Sequence, residues 1–152
     1  MRRTAIVLAT VLAASCGGAM VDGAGTKDLS KFLGAPWSGS LTTTVTCAGA
    51  VAPFVQTDAV TLALSEGSGA DLQFTSAQGC LFKFNATGGT ARLANGPVAC
   101  HVTVEGFSVD ASITTFTLTT SDGKSLAVNA GGTATAGGLP ACPAMVAGTL
   151  TR

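Results

Sequence analysis

The sequence has few of the residues on which nucleic-acid binding and metal binding depend. Its 152 residues include no tyrosine, one tryptophan and one histidine, and only 11% of them are charged. Eight lysines and arginines balance eight aspartates and glutamates, with no block of like charge. Phosphate binding needs clustered basic residues, and zinc binding needs clustered histidines and cysteines. We therefore expect neither a nucleic-acid partner nor a metal site.

Signatures of catalysis are missing as well. The chain contains no G-x-S-x-G elbow, no P-loop and no H-E-x-x-H motif. Its acidic residues are scattered singly, without the spacing of a calcium loop. The single histidine, His101, falls on the predicted solvent face of a strand beside Thr103 and Glu105, which is typical of a surface histidine. The sequence thus predicts a protein that is not an enzyme and needs no cofactor.

The N-terminal segment has the features of an export signal. Arg2 and Arg3 precede an apolar run over residues 4–14, which is too short for a membrane span of about 20 residues. Residues 12–16, Leu-Ala-Ala-Ser-Cys, resemble the lipobox of bacterial lipoproteins. The resemblance implies that residues 1–15 are a signal peptide and that Cys16 carries a diacylglyceryl group and acyl chains such as palmitate. Gly17 after the cysteine favours the outer membrane by the sorting habit of that family.

The cysteine count bears on the alternative, an ordinary secreted protein cleaved near Ser15 in which Cys16 is a bystander thiol. Besides Cys16 the chain has four cysteines, an even number that fits two disulfides in an oxidising compartment. Cys16 is therefore the spare cysteine, which favours lipidation. We expect residues 16–25 to form a flexible Gly/Ala-rich tether that anchors the protein in the cell envelope, on the periplasmic or surface face of the outer membrane.

Residues 26–152 are expected to form a single β domain, since 47% hydrophobic residues can bury one core and the length favours one domain. From Trp37 onward, apolar residues recur at every second position between Gly-containing turns. This pattern predicts an all-β fold, either an antiparallel up-and-down barrel or a flattened β-sandwich of about 8–10 strands. A change of parity between Ile113 and Phe116 predicts a β-bulge. Residues 26–34 are expected to form a short helix capped by Thr26.

The four remaining cysteines are expected to lie at one end of this fold. If consecutive strands alternate up and down, all four fall at the same end, and each shares the parity of its strand's apolar face. Three pairings are possible. We favour Cys47–Cys142 and Cys80–Cys100, because an up-and-down barrel places its first and last strands side by side.

The interior of the domain is either a packed core or a cavity for a ligand, and the sequence leaves both open. The inward-facing positions include the aromatic residues expected to line a ligand site, which are Trp37, Phe74, Phe82, Phe84 and Phe116. The other predicted inward residues are Leu41, Val45, Leu62, Leu64, Val102, Val104, Leu118, Val128 and Val146. Many of their neighbours are only Ala, Gly or Thr, which would leave room in a round barrel.

Two local resemblances point to different partners. Residues 28–37 resemble the short helix and first strand of lipocalin or calycin barrels, in which a Trp plugs one end beneath an Arg. Trp37 and Arg152 would fill those places, which implies a small apolar ligand in the barrel. Residues 66–70, Glu-Gly-Ser-Gly-Ala, are similar to the Ser/Gly loop of periplasmic lysozyme inhibitors, which implies a protein partner.

The sequence therefore predicts a membrane-anchored envelope lipoprotein that binds a small ligand in a β-barrel domain without catalysis. The alternative is a structural or protein-interaction module of the cell envelope, including a lysozyme-inhibitor-like role.

Overall fold

The computed structural model describes residues 27–152 apart from residues 49, 67, 68, 105, 138 and 139, and it leaves the side chains of residues 54, 58, 104 and 107 undescribed. The described chain is nearly all β, which confirms the predicted class. Its ten strands are β1 (Trp37–Cys47), β2 (Ala50–Val60), β3 (Ala63–Leu64), β4 (Leu72–Thr75), β5 (Leu81–Thr87), β6 (Thr90–Leu93), β7 (Val98–Val104), β8 (Phe107–Thr119), β9 (Ser125–Ala136) and β10 (Cys142–Thr151).

All strand pairs are antiparallel, and the sheet follows the order β2-β1-β10-β9-β8-β6-β5-β4-β3. The first and last strands pair over Ser38–Val45 and Ala144–Thr151, as predicted from the up-and-down alternation of the strands. The hydrogen-bonded path does not close into a ring, because β2 and β3 lie at its two ends. These two strands are nevertheless consecutive in the chain, separated only by residues 61–62. Buried residues from nearly every strand belong to one hydrophobic cluster, so the sheet curls around a single core.

Strands β6 and β7 occupy successive stretches of the same neighbour. Strand β6 pairs with the end of β8, with Thr90 opposite Thr119, and β7 pairs with its beginning, with Val98 opposite Ile113. On the other side of β8, the register with β9 shifts between Ile113 and Thr115. This shift confirms the β-bulge predicted from the parity of the apolar residues.

The prediction of a short N-terminal helix over residues 26–34 is wrong. Only a 3₁₀ turn forms, over Leu29–Lys31, and its cap is the Asp28 side chain, which accepts a hydrogen bond from Ser30 N at 3.2 Å. Thr26, the expected cap, lies outside the described residues. The carbonyl oxygens of Lys31 and Leu33 accept hydrogen bonds from the Arg152 side chain instead of from amides further along the chain. A longer helix would need those carbonyls for its own hydrogen bonds.

The second predicted strand also differs. The alternating apolar residues Val60, Leu62 and Leu64 predict one strand, whereas the structure has a long β2 that ends at Val60 and a separate two-residue β3. Val60 and Leu62 are buried, but Leu64 is 59% exposed and so does not face the core as predicted. Leu64 lies in an edge strand that pairs only with β4, so no neighbouring strand covers it.

Candidate functional site

One end of the barrel-like sheet is closed by Trp37. Its side chain is fully buried, and its Nε1 donates a hydrogen bond to the carbonyl oxygen of Phe32 at 3.0 Å. The guanidinium carbon of Arg152 lies 4.1 Å from the centroid of the Trp37 ring, which is a cation–π contact. Phe32 is itself 1% exposed. The segment that precedes β1 therefore covers this end of the core.

Arg152 connects three parts of the chain at the closed end. Its Nε donates to Gly123 O at 2.7 Å, in the loop between β8 and β9. Its Nη1 donates to Leu33 O, and its Nη2 donates to Lys31 O at 3.1 Å. One side chain thus holds the 3₁₀ turn and the β8–β9 loop against the end of β10.

Four of the five predicted ligand-site aromatics form one contact chain inside the sheet. The rings of Phe74 and Phe82 stack with their centroids 5.5 Å apart. Phe116 makes edge-to-face contacts with Phe82 and with Phe84, each at 5.2 Å. The fifth residue, Trp37, belongs to the closed end. Phe82 and Phe84 are buried, whereas Phe74 and Phe116 are only partly buried.

Inward-facing residues are fully buried near Trp37 and less buried further along β9 and β10, whereas Cys80, Cys100 and Cys142 at the opposite end are buried again. In β10, Leu150 is 0% exposed while Val146 is half-buried. In β9, Leu126 is fully buried while Ala134, on the same face, is half-buried. The interior is therefore sealed beneath Trp37 and less completely covered towards the other end, which we call the open end.

Both predicted disulfide pairings are confirmed. Cys47 is bonded to Cys142 with a Cα–Cα distance of 5.1 Å, and Cys80 is bonded to Cys100 with a distance of 5.6 Å. The strand register aligns Cys142, Ala134, Ala111 and Cys100 across four neighbouring strands. All four cysteines consequently lie in one row at the open end, as the sequence predicted.

A pocket of about 310 Å³ lies beside the Cys47–Cys142 disulfide. Its lining consists of Thr46, Cys47, Ala48, Pro140, Ala141, Cys142 and Pro143. None of these side chains carries a charge, so the pocket offers mainly apolar contacts. It lies at the rim of the open end, away from the phenylalanine chain.

His101 lies on the outer face of the β7–β8 hairpin, as predicted, but its partners were not foreseen. Its Nδ1 lies 2.8 Å from Asp110 Oδ1, and its Nε2 lies 2.8 Å from Ser108 Oγ. His101 is directly opposite Asp110 in the register. The predicted neighbour Glu105 lies outside the described residues. A two-residue turn at residues 105–106, where the sequence has Glu-Gly, is the signal that places His101 opposite Asp110.

Asp71 links the beginning of the described chain to the sheet. Its carboxylate accepts hydrogen bonds from Ala86 N at 2.8 Å and from Lys27 Nζ at 2.9 Å. Burial raises the pKa of the Asp71 carboxyl, but the hydrogen bonds from Ala86 and Lys27, together with the Lys27 charge, outweigh it and leave the pKa below its usual value.

Comparison with known proteins gives no relative: the chain matches no family model, no curated protein and no solved structure. Within the part of the chain that the structure describes, no helix is long and apolar enough to span a membrane. In that same part, His, Cys, Asp and Glu side chains form no group of three that could hold a metal ion. Cys16, the predicted lipidation site, lies outside the described residues, as do Gly67 and Ser68 of the inhibitor-like loop.

Proposed function

We propose that the domain binds a small apolar ligand in the open end of its barrel-like interior. The observation that carries this proposal is that inward residues such as Ile113 and Val146, which lie between the buried Trp37 end and the cysteine row, are only half-buried. An interior packed throughout would bury the same face along the whole length of each strand. Ligand sites of soluble proteins are typically concave, apolar and largely formed in advance.

The residues that line the open end favour an uncharged ligand. The half-buried residues that pack against the core here include the apolar Val102, Ala111, Ile113, Phe116 and Val146. A charged ligand placed among them would lose its hydration without gaining a partner. The phenylalanine chain, to which Phe116 belongs, would contact the same ligand.

The contact between Trp37 and Arg152 supports the resemblance to calycin barrels, whose known role implies the same class of ligand. We further propose that residues 1–15 are a signal peptide and that Cys16 is lipidated. The two disulfides support this view, since they leave Cys16 as the spare cysteine. In this proposal a lipid anchor holds the domain at the outer membrane of the cell envelope.

The test is binding of phenylnaphthylamine, an apolar fluorescent probe, to the soluble chain that begins at Gly17 and is secreted into an oxidising compartment. Val146→Arg places a charge on the inner face of β10 and should abolish the fluorescence increase. Val55→Arg is the matched control, because Val55 is 72% exposed on the edge strand β2. This variant should bind the probe as wild type does. Emission of Trp37 reports whether each variant is folded. Equal binding by both folded variants would refute the proposal.

A second candidate function is docking of an envelope protein. The outer faces of β2 and β10 expose three large apolar side chains, Val51 at 62%, Val55 at 72% and Met145 at 63%. They are close together, since β1 places Thr46 opposite Val51, Thr42 opposite Val55 and Thr44 opposite Met145. Exposed apolar patches of this kind mark interaction sites. Inhibition of lysozyme by wild type but not by Val55→Arg would favour this function over ligand binding.

A further inference from the structure

The side chains of Ser108, His101 and Asp110 form a continuous hydrogen-bonded chain on the outside of the domain. Asp110 Oδ1 and Ser108 Oγ each lie 2.8 Å from a different nitrogen of the same imidazole. All three residues are exposed, with 69% of the His101 side chain and 79% of the Asp110 side chain accessible to solvent. An ion pair would explain the contact between His101 and Asp110, but it would not explain why the Ser108 hydroxyl lies at the other imidazole nitrogen.

The hairpin fixes the order of these three groups. His101 in β7 is directly opposite Asp110 in β8, and Ser108 is two residues from Asp110 on the same face. Both strands are held in place beside these three residues. Cys100, which precedes His101 in β7, is disulfide-bonded, and β8 also pairs with β9. The imidazole therefore lies between carboxylate and hydroxyl as a consequence of the strand register.

This order determines the direction of each hydrogen bond. A carboxylate only accepts, so Nδ1 of His101 donates to Asp110. When the imidazole is neutral, its Nε2 carries the free lone pair and accepts the hydrogen bond from Ser108 Oγ. A serine hydroxyl that donates to an imidazole oriented by a carboxylate is the arrangement that activates a serine nucleophile.

We propose that Ser108 is a nucleophile that accepts acyl and phosphonyl groups from activated esters and fluorophosphonates. Ser108 Oγ attacks the carbonyl carbon of the ester while its proton passes to Nε2 of His101. The tetrahedral intermediate then expels the alcohol, which takes that proton from Nε2, and an ester of Ser108 remains. Water activated by the same imidazole cleaves this ester, releasing the carboxylic acid and regenerating the serine. With a fluorophosphonate, Oγ displaces fluoride from phosphorus while the serine proton passes to Nε2 of His101 and then to solvent, and the adduct is stable.

The exposure of the three side chains limits the substrate class. Charge that develops in the transition state is solvated by water here, without the added stabilisation of a dry, preorganised site. General-base assistance by the imidazole remains, and it contributes about 10²–10⁴-fold in other proteins. The reaction is therefore restricted to substrates with good leaving groups, such as nitrophenyl esters and fluorophosphonates. Asp110 acts as a positioning residue, because it reaches the serine only through His101.

The test is fluorophosphonate labelling of the full-length oxidised protein in mild detergent, with the labelled residue located by peptide mass spectrometry. We expect label on Ser108, none at that position in Ser108→Ala, and labelling at least about tenfold slower in His101→Gln. Asp110→Asn should slow labelling, and Asp110→Glu should restore it. Ser112 is the internal control, since it lies on the same face of β8 opposite Ala99. Equal labelling of Ser108 and Ser112, or unchanged labelling in His101→Gln, would overturn the proposal.

Nitrophenyl acetate hydrolysis provides a second readout on the same variants. Wild type and Ser112→Ala should release nitrophenol at the same rate, and Ser108→Ala should release it at least about tenfold more slowly. Hydrolysis that persists in Ser108→Ala but disappears in His101→Gln would show that the imidazole itself is the nucleophile. That result would refute the role proposed for Ser108.

Discussion

The Arg152 guanidinium lies over the ring of Trp37, with its central carbon 4.1 Å from the ring centroid. The two residues are far apart in the sequence, at the start of β1 and directly after β10, and the pairing of these two strands brings them together. Trp37 fills the end of the core, while Arg152 covers it and binds three backbone carbonyls. Closure of this end therefore depends on contacts between the first and last strands.

Replacement of Arg152 by alanine should destabilise the domain by about 1–2 kcal/mol, because it removes the cation–π contact and three hydrogen bonds at a solvent-accessible position. Trp37 is the only tryptophan in the sequence, so its emission reports directly on this end of the molecule. We expect a red shift of that emission and a lower urea midpoint. Arg92→Ala removes an exposed arginine from β6 and should change neither quantity. Equal effects of the two variants would contradict the proposed role of Arg152.

The two disulfides should contribute unequally to stability. Cys47 and Cys142 are 95 residues apart in sequence, whereas Cys80 and Cys100 are 20 residues apart. By the chain-entropy estimate, replacing both cysteines of the first pair with alanine should cost about 4–5 kcal/mol, and the same change in the second pair about 3 kcal/mol. Urea unfolding of the two double variants measures the difference. A larger loss from the second pair would mean that local packing outweighs the entropy of the unfolded chain.

Asp71 should make the domain less stable in acid. Its pKa is lower in the folded state than in the unfolded chain, so its contribution is present above the unfolded pKa and is lost as pH falls through the folded pKa. Asp71→Asn should therefore be less stable than wild type near neutrality. The difference should shrink as the pH falls from neutrality through the lowered pKa of Asp71, because the wild-type carboxylate then takes up its proton.

Urea midpoints measured across this range, for wild type and for Asp71→Asn, test the expectation. Lys27→Gln should reproduce part of the effect, because Lys27 supplies one of the two hydrogen bonds to the carboxylate. A difference between wild type and Asp71→Asn that stays constant with pH would show that Asp71 does not titrate as described.

The disulfides and the bulge could be predicted because both depend on side-chain parity. Cys47 and Cys142 share the apolar face of their strands, and the shift between Ile113 and Phe116 is visible as a break in alternation. Apolar and polar residues alternate visibly in the sequence wherever one face of a strand is buried and the other faces solvent. The contact at the closed end could be predicted because the resemblance to calycin barrels implies an Arg over the Trp, at the positions of Arg152 and Trp37.

Strand β2 and the hydrogen-bonded chain of Ser108, His101 and Asp110 could not be predicted from the sequence, for two different reasons. Almost all described side chains of β2 before Val60 are exposed, so its sequence shows no alternation between a buried and a solvent face. The contacts of His101 depend on which residue of β8 lies opposite it, and a shift of one residue would have removed Asp110 from that position. Alternation alone predicts that Leu64 faces the core, but β3 is an edge strand and no second strand covers it.

The row of four cysteines has a consequence for how the domain matures. Both cross-links belong to the open end, whereas the Trp37 end is held by noncovalent contacts. While its thiols are reduced, the chain lacks about 3–5 kcal/mol of stabilisation for each missing bridge, which is large beside the total stability of a small domain. Oxidation would then be the step that fixes the outline of the open end of the sheet. A reduced chain could collapse around its phenylalanines and still have no defined opening.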